Sequence, residues 1–173
     1  MLTFISLSFD TTAEAVIFGG SRTGNSRPTA WYSSSVGSHG YTSNFDKARN
    51  YWNAHSKVNI TKSSTSANSD RYYVSNTSTS GLLGIMTPYT SSGNRADIHG
   101  NWNYATVHVF ENSMRSTSNY SASRVNYNIA HEIGHSIKMA HASKAYHSVM
   151  PQSWITIPSS LTVYDRQEID RKW

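Results

Sequence analysis

The residues best suited to chemistry in this 173-residue chain form the run HEIGH at 131–135, with a further histidine at His141. On a helix, a spacing of four residues is a rotation of about 400°, so His131 and His135 share one face about 6 Å apart along the axis. Two imidazoles placed in this way can reach one metal ion at about 2.0–2.1 Å from each ligand nitrogen. Glu132 adds a carboxylate that can act as a general base. The pattern therefore predicts a metal site with its own proton acceptor.

The residues around this motif predict a helix over about 121–138 that positions the histidines. Its apolar residues recur at i, i+4, i+8 and i+12, as Val125, Ile129, Ile133 and Ile137. This row indicates one buried helical face. The histidines flank the row, so one side of the helix packs on a core while another presents the imidazoles. The alternative is an amphipathic helix with solvated histidines and no metal.

The run HEIGHSIKMAH at 131–141, followed by SVMP at 148–151, resembles the metzincin zinc peptidases, most closely their small matrixin-like bacterial members. The pattern of that family is HExxHxxGxxH, followed by a tight turn that carries a methionine beneath the metal. The resemblance implies one catalytic zinc ion with three histidine ligands, a general base and a turn methionine, which fall on His131, His135, His141, Glu132 and Met150. Without the histidines, a methionine at this place would indicate ordinary core packing.

One position departs from the family pattern, because Lys138 stands where the family has glycine. In a continuous helix His141 would lie about 15 Å along the axis from His131 and off the ligand face. The backbone must therefore break near residues 138–140 if both are to bind one ion. A left-handed conformation costs a lysine about 1–2 kcal/mol, and metal binding can offset that cost.

Two other residues are candidates for the third ligand position. His147 is the main substitute for His141, and Glu168 is a poorer one. The other large class of HExxH peptidases takes a glutamate from a second helix, but no matching acidic motif follows at a suitable spacing. The methionine at 150 favours the histidine ligand instead.

The order of predicted elements indicates an α+β fold. Strands are predicted at 30–32, 57–61, 71–74, 81–89 and 105–110, and helices at 43–54 with Ser43 as N-cap, at about 121–138, and from about Thr162 onward. This order matches the zincin-like (metzincin) architecture that the resemblance implies, with a twisted mixed sheet, an active-site helix, a methionine turn and a C-terminal helix. We expect residues 16–173 to form a single catalytic domain.

By the resemblance, the segment 81–89 is the edge strand that borders the cleft. An edge has free N–H and C=O groups that can pair with an extended peptide, so the expected partner is a polypeptide. Trp154 is expected either to help wall the pocket for the residue after the scissile bond or to pack in the core. The expected substrate-binding residues on the strand are Gly81, Leu82, Leu83 and Gly84.

Composition narrows the remaining classes of partner and cofactor. The net charge is +5, but the Lys and Arg residues are scattered, which disfavours nucleic-acid binding. Ser, Thr and Asn are abundant and only 14% of residues are charged, as is typical of an extracellular surface. There is no cysteine, which excludes disulfides and thiolate metal ligands. The acidic residues do not cluster as in a calcium loop. A second, structural zinc site is not supported, although His99 and His108 are candidates, and we expect a monomer.

The N-terminus resembles part of an export signal. Residues 1–9 are mostly apolar or small, and the AEA run at 13–15 fits a cleavage site that leaves Val16 first. No basic residue precedes the apolar stretch and Asp10 interrupts its end, as a truncated start would explain. The alternative is a short β-strand. No apolar run reaches the length of a membrane span. From the partial export signal we expect an extracellular protein, and the resemblance implies a bacterial one.

Two functions follow from these features. The first is a secreted zinc endopeptidase in which Glu132 is the general base. The second is a catalytically weak or inactive binding or adhesion module on a zincin scaffold. The presence of Glu132 favours the first, because binding alone has no use for that base.

Overall fold

A five-stranded sheet with helices packed against it forms the framework of the protein, in a computed structural model that describes residues 17–152 and 157–173. In chain order the elements are β1 (Thr29–Tyr32), α1 (Ser34–Ser38), α2 (Thr42–Asn53), β2 (Thr61–Ser63), β3 (Asp70–Ser75), β4 (Gly84–Tyr89), β5 (Tyr104–Phe110), α3 (Glu111–Arg115), α4 (Ala122–Ser136) and α5 (Val163–Lys172).

The strand order in the sheet is β2-β1-β3-β5-β4. The pairs β1–β2, β1–β3 and β3–β5 are parallel, while β4 runs antiparallel to β5. Parallel neighbours require crossover connections, and α1 and α2 supply the one between β1 and β2. The predicted mixed sheet is confirmed, and among the described residues β4 is the edge strand beside β5, with an isolated bridge from Arg95 to Tyr89 on its other side.

The hydrophobic core lies between the sheet and the helices α2 and α4. Alternating residues of the central strands point into it, and both helices contribute large side chains; fully buried examples are Tyr72, Val107, Val109, Phe45, Trp52, Ile129 and Ile133. The indole Nε1 of Trp52 donates to the carbonyl of Ala130 at 2.8 Å. This hydrogen bond ties α2 to the centre of α4 and satisfies a buried polar group.

The long helix α4 forms as its sequence predicts. The Ser121 hydroxyl accepts from the backbone N–H of Arg124 at 3.3 Å, as an N-cap does. The apolar row that runs from Val125 to Ile137 is buried along its whole length. The last helix begins as expected as well, because the Thr162 hydroxyl caps it by accepting from the Asp165 N–H at 3.0 Å.

The predicted strand at 57–61 is wrong, because β2 covers only Thr61–Ser63. Val58 and Ile60 are buried, which produces the alternating pattern. However, the backbone of Ile60 pairs with a side chain rather than with a strand: its N–H donates to the Asn53 amide oxygen at 2.7 Å, and its carbonyl accepts from the Asn53 amide nitrogen at 3.1 Å. Burial therefore alternates before the ladder begins: the Asn59 N–H donates to the Ser26 carbonyl at 3.2 Å, but Pro28 has no N–H to return, and pairing with β1 starts at Thr61.

Two element boundaries also differ from the prediction. Ser43 is not the N-cap of α2, which is capped at Tyr41 without a side-chain hydrogen bond. The edge strand begins at Gly84 rather than Gly81, because Gly81 has a φ of 74° that an extended strand does not accommodate. The strand runs through Pro88, since a strand at an edge can lack an N–H donor on its open side.

Two expectations fall on residues that the structure does not describe. The predicted export signal at 1–15 and the side chain of Trp154 lie outside the described residues. Within 17–152 and 157–173, no helix combines the length and the apolar composition that a membrane span needs.

Candidate metal centre

Helix α4 brings its two motif histidines together on one face. The Nε2 atoms of His131 and His135 lie 3.1 Å apart. Both side chains are buried, because the helix face that carries them also packs against the core. The four-residue spacing thus produces the paired imidazoles that the sequence predicts.

The backbone then leaves the helix at Lys138, which has a φ of 75°. The N–H of Lys138 donates to the carbonyl of His135, and the N–H of Met139 reaches back to the carbonyl of Gly134, each at 3.0 Å. These are the two hydrogen bonds of a Schellman motif, which glycine usually closes. The predicted break is confirmed, and it occurs with a lysine in the left-handed conformation.

This turn brings His141 back beside His131 and His135. Its Nε2 lies 3.2 Å from the Nε2 of His135, and one ligand atom from each of the three histidines lies within 4.8 Å of the others. A tetrahedral zinc ion at about 2.0–2.1 Å from each nitrogen sets the nitrogens about 3.3 Å apart. The observed separations are close to that value, so the group can hold a metal ion.

The protonation of the imidazoles supports the same conclusion. His131 Nδ1 faces the carbonyl of Val149 at 2.9 Å, and His135 Nδ1 faces the carbonyl of Met139 at 2.7 Å. A carbonyl only accepts, so each Nδ1 carries its proton and each Nε2 presents a lone pair. Burial lowers the pKa of His131 to about 4 and that of His135 well below its usual range. Two lone pairs at this separation repel each other unless a cation lies between them.

Met150 lies directly beneath the helix that carries the histidines. A Cβ placed on Gly134 would be 2.5 Å from the sulfur of Met150 and 2.5 Å from Trp52 Cζ2. Only glycine therefore allows the turn and the indole to approach α4 so closely. Met150 is buried at 2% exposure, and its role as the turn methionine beneath a metal stays a prediction.

The turn that carries Met150 is fastened to helix α5 by Asp165. This buried carboxylate accepts hydrogen bonds from the hydroxyls of Ser148, Tyr51 and Thr162 and, at 3.3 Å, from the N–H of Val149. The Val149 carbonyl in turn accepts a hydrogen bond from His131 Nδ1. Asp165 therefore orients one of the imidazoles through a single intervening residue.

Glu132 is buried on the side of α4 that faces the edge strand. A Cβ on Gly84 would lie 2.8 Å from Glu132 Cγ, so the glycine lets β4 approach the carboxyl group. Burial raises the pKa of Glu132 to about 8, and a backbone hydrogen bond from Met86 partly opposes that shift. Once ionised, this carboxylate is a much stronger base than an exposed glutamate.

A cleft of about 680 Å³ contains the three histidines and Glu132. Its wall includes the four residues predicted to contact substrate, Gly81, Leu82, Leu83 and Gly84. Substrate contact by these residues stays a prediction, and the structure places them where such contact requires. The Asn128 amide holds their backbone by donating to the Leu83 carbonyl at 3.1 Å.

Other residues of the cleft wall were not anticipated from the sequence, namely Phe18, Ile98, Tyr127, Asn128, Pro151 and Gln152. Tyr127 and Asn128 lie one turn before the motif on the same helix, so the helical period could have identified them. Phe18 and Ile98 come from distant segments, and no local pattern marks them.

The remaining metal-ligand candidates lie away from the three-histidine group. His147 is exposed, and Glu168 pairs with Arg171 at 2.7 Å. His99 packs its ring against Phe18, and His108 stacks on Tyr73 with ring centroids 4.6 Å apart. Among the described residues, the group that could hold an ion consists of His131, His135 and His141.

Comparison with known proteins supports the fold. No protein-family model matches the sequence, and no curated protein matches it either. One crystal structure of myroilysin matches with a TM-score of 0.50 and 12% identity over 91% of this chain and 90% of that chain. A second structure of myroilysin matches with a TM-score of 0.48 and 12% identity over 92% of this chain and 96% of that one. The first likeness supports the architecture alone, and the predicted metzincin-like fold is confirmed.

Proposed function

We propose that this protein is a secreted, zinc-dependent endopeptidase related to the matrixin-like metzincins. The observation that carries the proposal is the convergence of three imidazole Nε2 atoms beside the buried Glu132, inside a cleft bordered by an edge strand. The composition supports secretion, because Ser, Thr and Asn are abundant and few residues are charged. The resemblance of HEIGHSIKMAH to the family motif supports zinc as the metal.

The cleft is suited to an extended polypeptide. Among the described residues, β5 is the one strand that pairs along β4, and near Pro88 and Tyr89 the other side of β4 is closed by residues 95–96. A peptide laid along the part nearer Gly84 could form main-chain hydrogen bonds with little dependence on sequence. The wall is mostly apolar, with Leu83, Ile98 and Phe18 among its residues. We therefore expect a preference for substrates with hydrophobic side chains near the scissile bond.

The chemistry assigned to this chain centres on Glu132. When bound at the three histidines, zinc supplies a Lewis acid that polarises a peptide carbonyl and acidifies water. Glu132 accepts a proton from the attacking water and can pass it to the leaving amine. Burial raises its pKa to about 8 in the metal-free protein, and a cation at the neighbouring imidazoles would lower that pKa and favour the ionised carboxylate, which is the form that accepts a proton. The Met86 backbone hydrogen bond orients the group.

The test is hydrolysis of casein or gelatin by the purified protein, with zinc content measured on the same preparation. We expect about one zinc per chain, activity that a chelator removes and zinc restores, and a loss on the order of 10³-fold or more for Glu132→Gln. Glu111→Gln is the matched control, because Glu111 lies on the short helix α3 and pairs with Arg115 at the surface.

Three results would contradict the proposal: activity that survives the chelator, full activity of Glu132→Gln, or zinc content near zero. Zinc binding without hydrolysis of any tested protein would instead favour the binding or adhesion module on a zincin scaffold. Retention of the buried base argues against that outcome.

A further inference from the structure

The side chain of Lys138 is buried in a cage of backbone carbonyls. Its Nζ donates to the carbonyl of Gly100 at 2.7 Å and to that of Gly19 at 2.9 Å, and the carbonyl of Ile98 lies at 3.5 Å. The same atom lies 3.2 Å from the centroid of the Trp102 ring. An ammonium group has three N–H donors and no acceptor, so carbonyls and an aromatic face match it well.

This arrangement explains why a lysine can stand where glycine would be easier. The left-handed backbone is unfavourable for any residue with a side chain, and Lys138 is 0% exposed. A buried ammonium is tolerated only when its donors are paired. The cage supplies that pairing, and the side chain joins the end of helix α4 to two distant segments.

One of the joined segments is 17–20, which runs beside the exit of α4. The Phe18 N–H donates to the carbonyl of Lys138 at 2.8 Å, and Ile17 forms an antiparallel bridge with Met139. From the other side, Lys172 Nζ donates to the carbonyls of Phe18 and Gly20 at 2.8 and 2.6 Å. The segment is therefore held by two lysines and by the backbone that follows α4.

The same segment contacts the metal centre in two ways. Met139, which pairs with Ile17 through the Phe18 N–H to Lys138 carbonyl hydrogen bond, presents its own carbonyl to His135 Nδ1 at 2.7 Å. The ring of Phe18 lies 5.5 Å from the ring of His135, centroid to centroid, and Phe18 also lines the cleft. Segment 17–20 thus supports both the orientation of the central histidine and one wall of the substrate cleft.

We propose that Lys138 is a positioning residue, whose ammonium fastens segment 17–20 against His135 and so couples the docking of that segment to metal affinity. The proposal rests on the proposed zinc site. It assigns to the lysine a role that glycine at the same place could not have, since glycine can close the turn but cannot hold the segment.

The coupling is tested by zinc affinity, measured on the purified full chain by competition with a chelating indicator. Lys138→Met keeps the length of the side chain but removes its donors, and Lys138→Gly removes the side chain while relieving the backbone. Both variants should bind zinc about 10- to 100-fold more weakly, as is typical when a group behind a ligand is lost. Lys47→Met, an exposed lysine on α2, is the matched control and should bind like wild type.

A double-mutant cycle separates positioning from general destabilisation. Phe18→Ala should also weaken zinc binding, and the Lys138→Gly, Phe18→Ala pair should weaken it little beyond the larger single effect, because both changes release the same segment. Lys172→Met releases that segment from its outer side. It should weaken zinc binding several-fold with the same lack of additivity.

Hydrogen exchange supplies a readout at the segment itself. Binding linkage is reciprocal, so zinc should slow exchange of the Phe18 N–H in wild type and do so much less in Lys138→Gly. Wild-type zinc affinity in Lys138→Gly, or fully additive effects in the cycle, would overturn the proposal. Those outcomes would not contradict the proposed peptidase activity. Zinc binding without hydrolysis would contradict that activity but not the coupling of segment 17–20 to zinc affinity.

Discussion

The candidate metal centre consists of two halves that are built in different ways. His131 and His135 belong to a regular helix, are buried, and each direct Nδ1 to a backbone carbonyl. His141 and Met150 lie in irregular segments after the helix, and His141 is exposed. The helix half, His131 and His135, is spaced by helical hydrogen bonds. The turn half, His141 and Met150, depends on a left-handed residue and on contacts from α5.

This contrast shows where the site is robust. A helix keeps two imidazoles four residues apart whatever surrounds it, because the spacing follows from its own geometry. The turns have no such internal ladder. They hold their positions through Lys138 on one side and Asp165 on the other, so changes at a distance should act on the second half first.

The largest difference between the halves should appear when single ligands are removed. His135 is central, with its Nε2 at 3.1 Å from that of His131 and 3.2 Å from that of His141. We expect His135→Ala to weaken zinc binding on the order of 10³-fold and His141→Ala on the order of 10²-fold, because water can replace an exposed ligand more easily. Competition titration measures both, and equal losses would contradict the distinction between halves.

The contact between the halves is tested at Gly134. Glycine to alanine within a helix normally stabilises by about 0.5–1 kcal/mol. Here the added Cβ would meet Met150 and Trp52, each at 2.5 Å, so we expect Gly134→Ala to destabilise the protein by about 3 kcal/mol. Gly37→Ala in α1, where the Cβ meets nothing within 4 Å, is the control. Urea unfolding of both variants gives the sign, and a stabilised Gly134→Ala would show that the turn does not pack as described.

The fastening of the turn half by α5 is tested with Asp165→Asn. An amide cannot accept all the hydrogen bonds that this carboxylate receives, so we expect a loss of about 2 kcal/mol in unfolding free energy. Zinc affinity should fall about 10-fold, because Val149 no longer presents its carbonyl firmly to His131. Asp170→Asn, an exposed residue of the same helix paired with Lys57, should change neither quantity appreciably. Unchanged zinc affinity with reduced stability would separate the turn from the metal site.

The smallest expected effect is the acid sensitivity of the helix half in the metal-free protein. Burial lowers the pKa of His131 from 6.5 to about 4, so the unfolded chain binds the proton more readily than the folded one. Stability is therefore present above about pH 6.5 and is lost as pH falls toward 4. Between pH 7 and 5.5 the loss should be about 1 kcal/mol for His131 alone. Urea midpoints of metal-free wild type and His131→Gln measure it, and equal pH dependence would contradict the assignment.

Much of the fold could be predicted from local patterns. The apolar row of α4, the edge strand that ends at Tyr89 and the start of α5 near Thr162 follow from periodicity that neighbouring residues determine. The cap predicted at Ser43 is wrong, and α2 is capped at Tyr41. The strand predicted at 57–61 is wrong because burial alternates there while pairing with β1 begins only at Thr61, and the backbone of Ile60 bonds to the Asn53 side chain. A burial pattern identifies the inward side chains and says nothing about which groups satisfy the main chain.

The sequence by itself determined that two histidines share a helical face and that a carboxylate directly follows the first of them. It also determined that the chain must break near Lys138 for His141 to join them. These conclusions need only the geometry of one helix. The tertiary structure alone decided that Phe18 walls the cleft, that Asp165 holds the methionine turn, and that the Lys138 ammonium is caged by Gly19 and Gly100. Those contacts join residues far apart in sequence, and only packing of the whole domain brings them together.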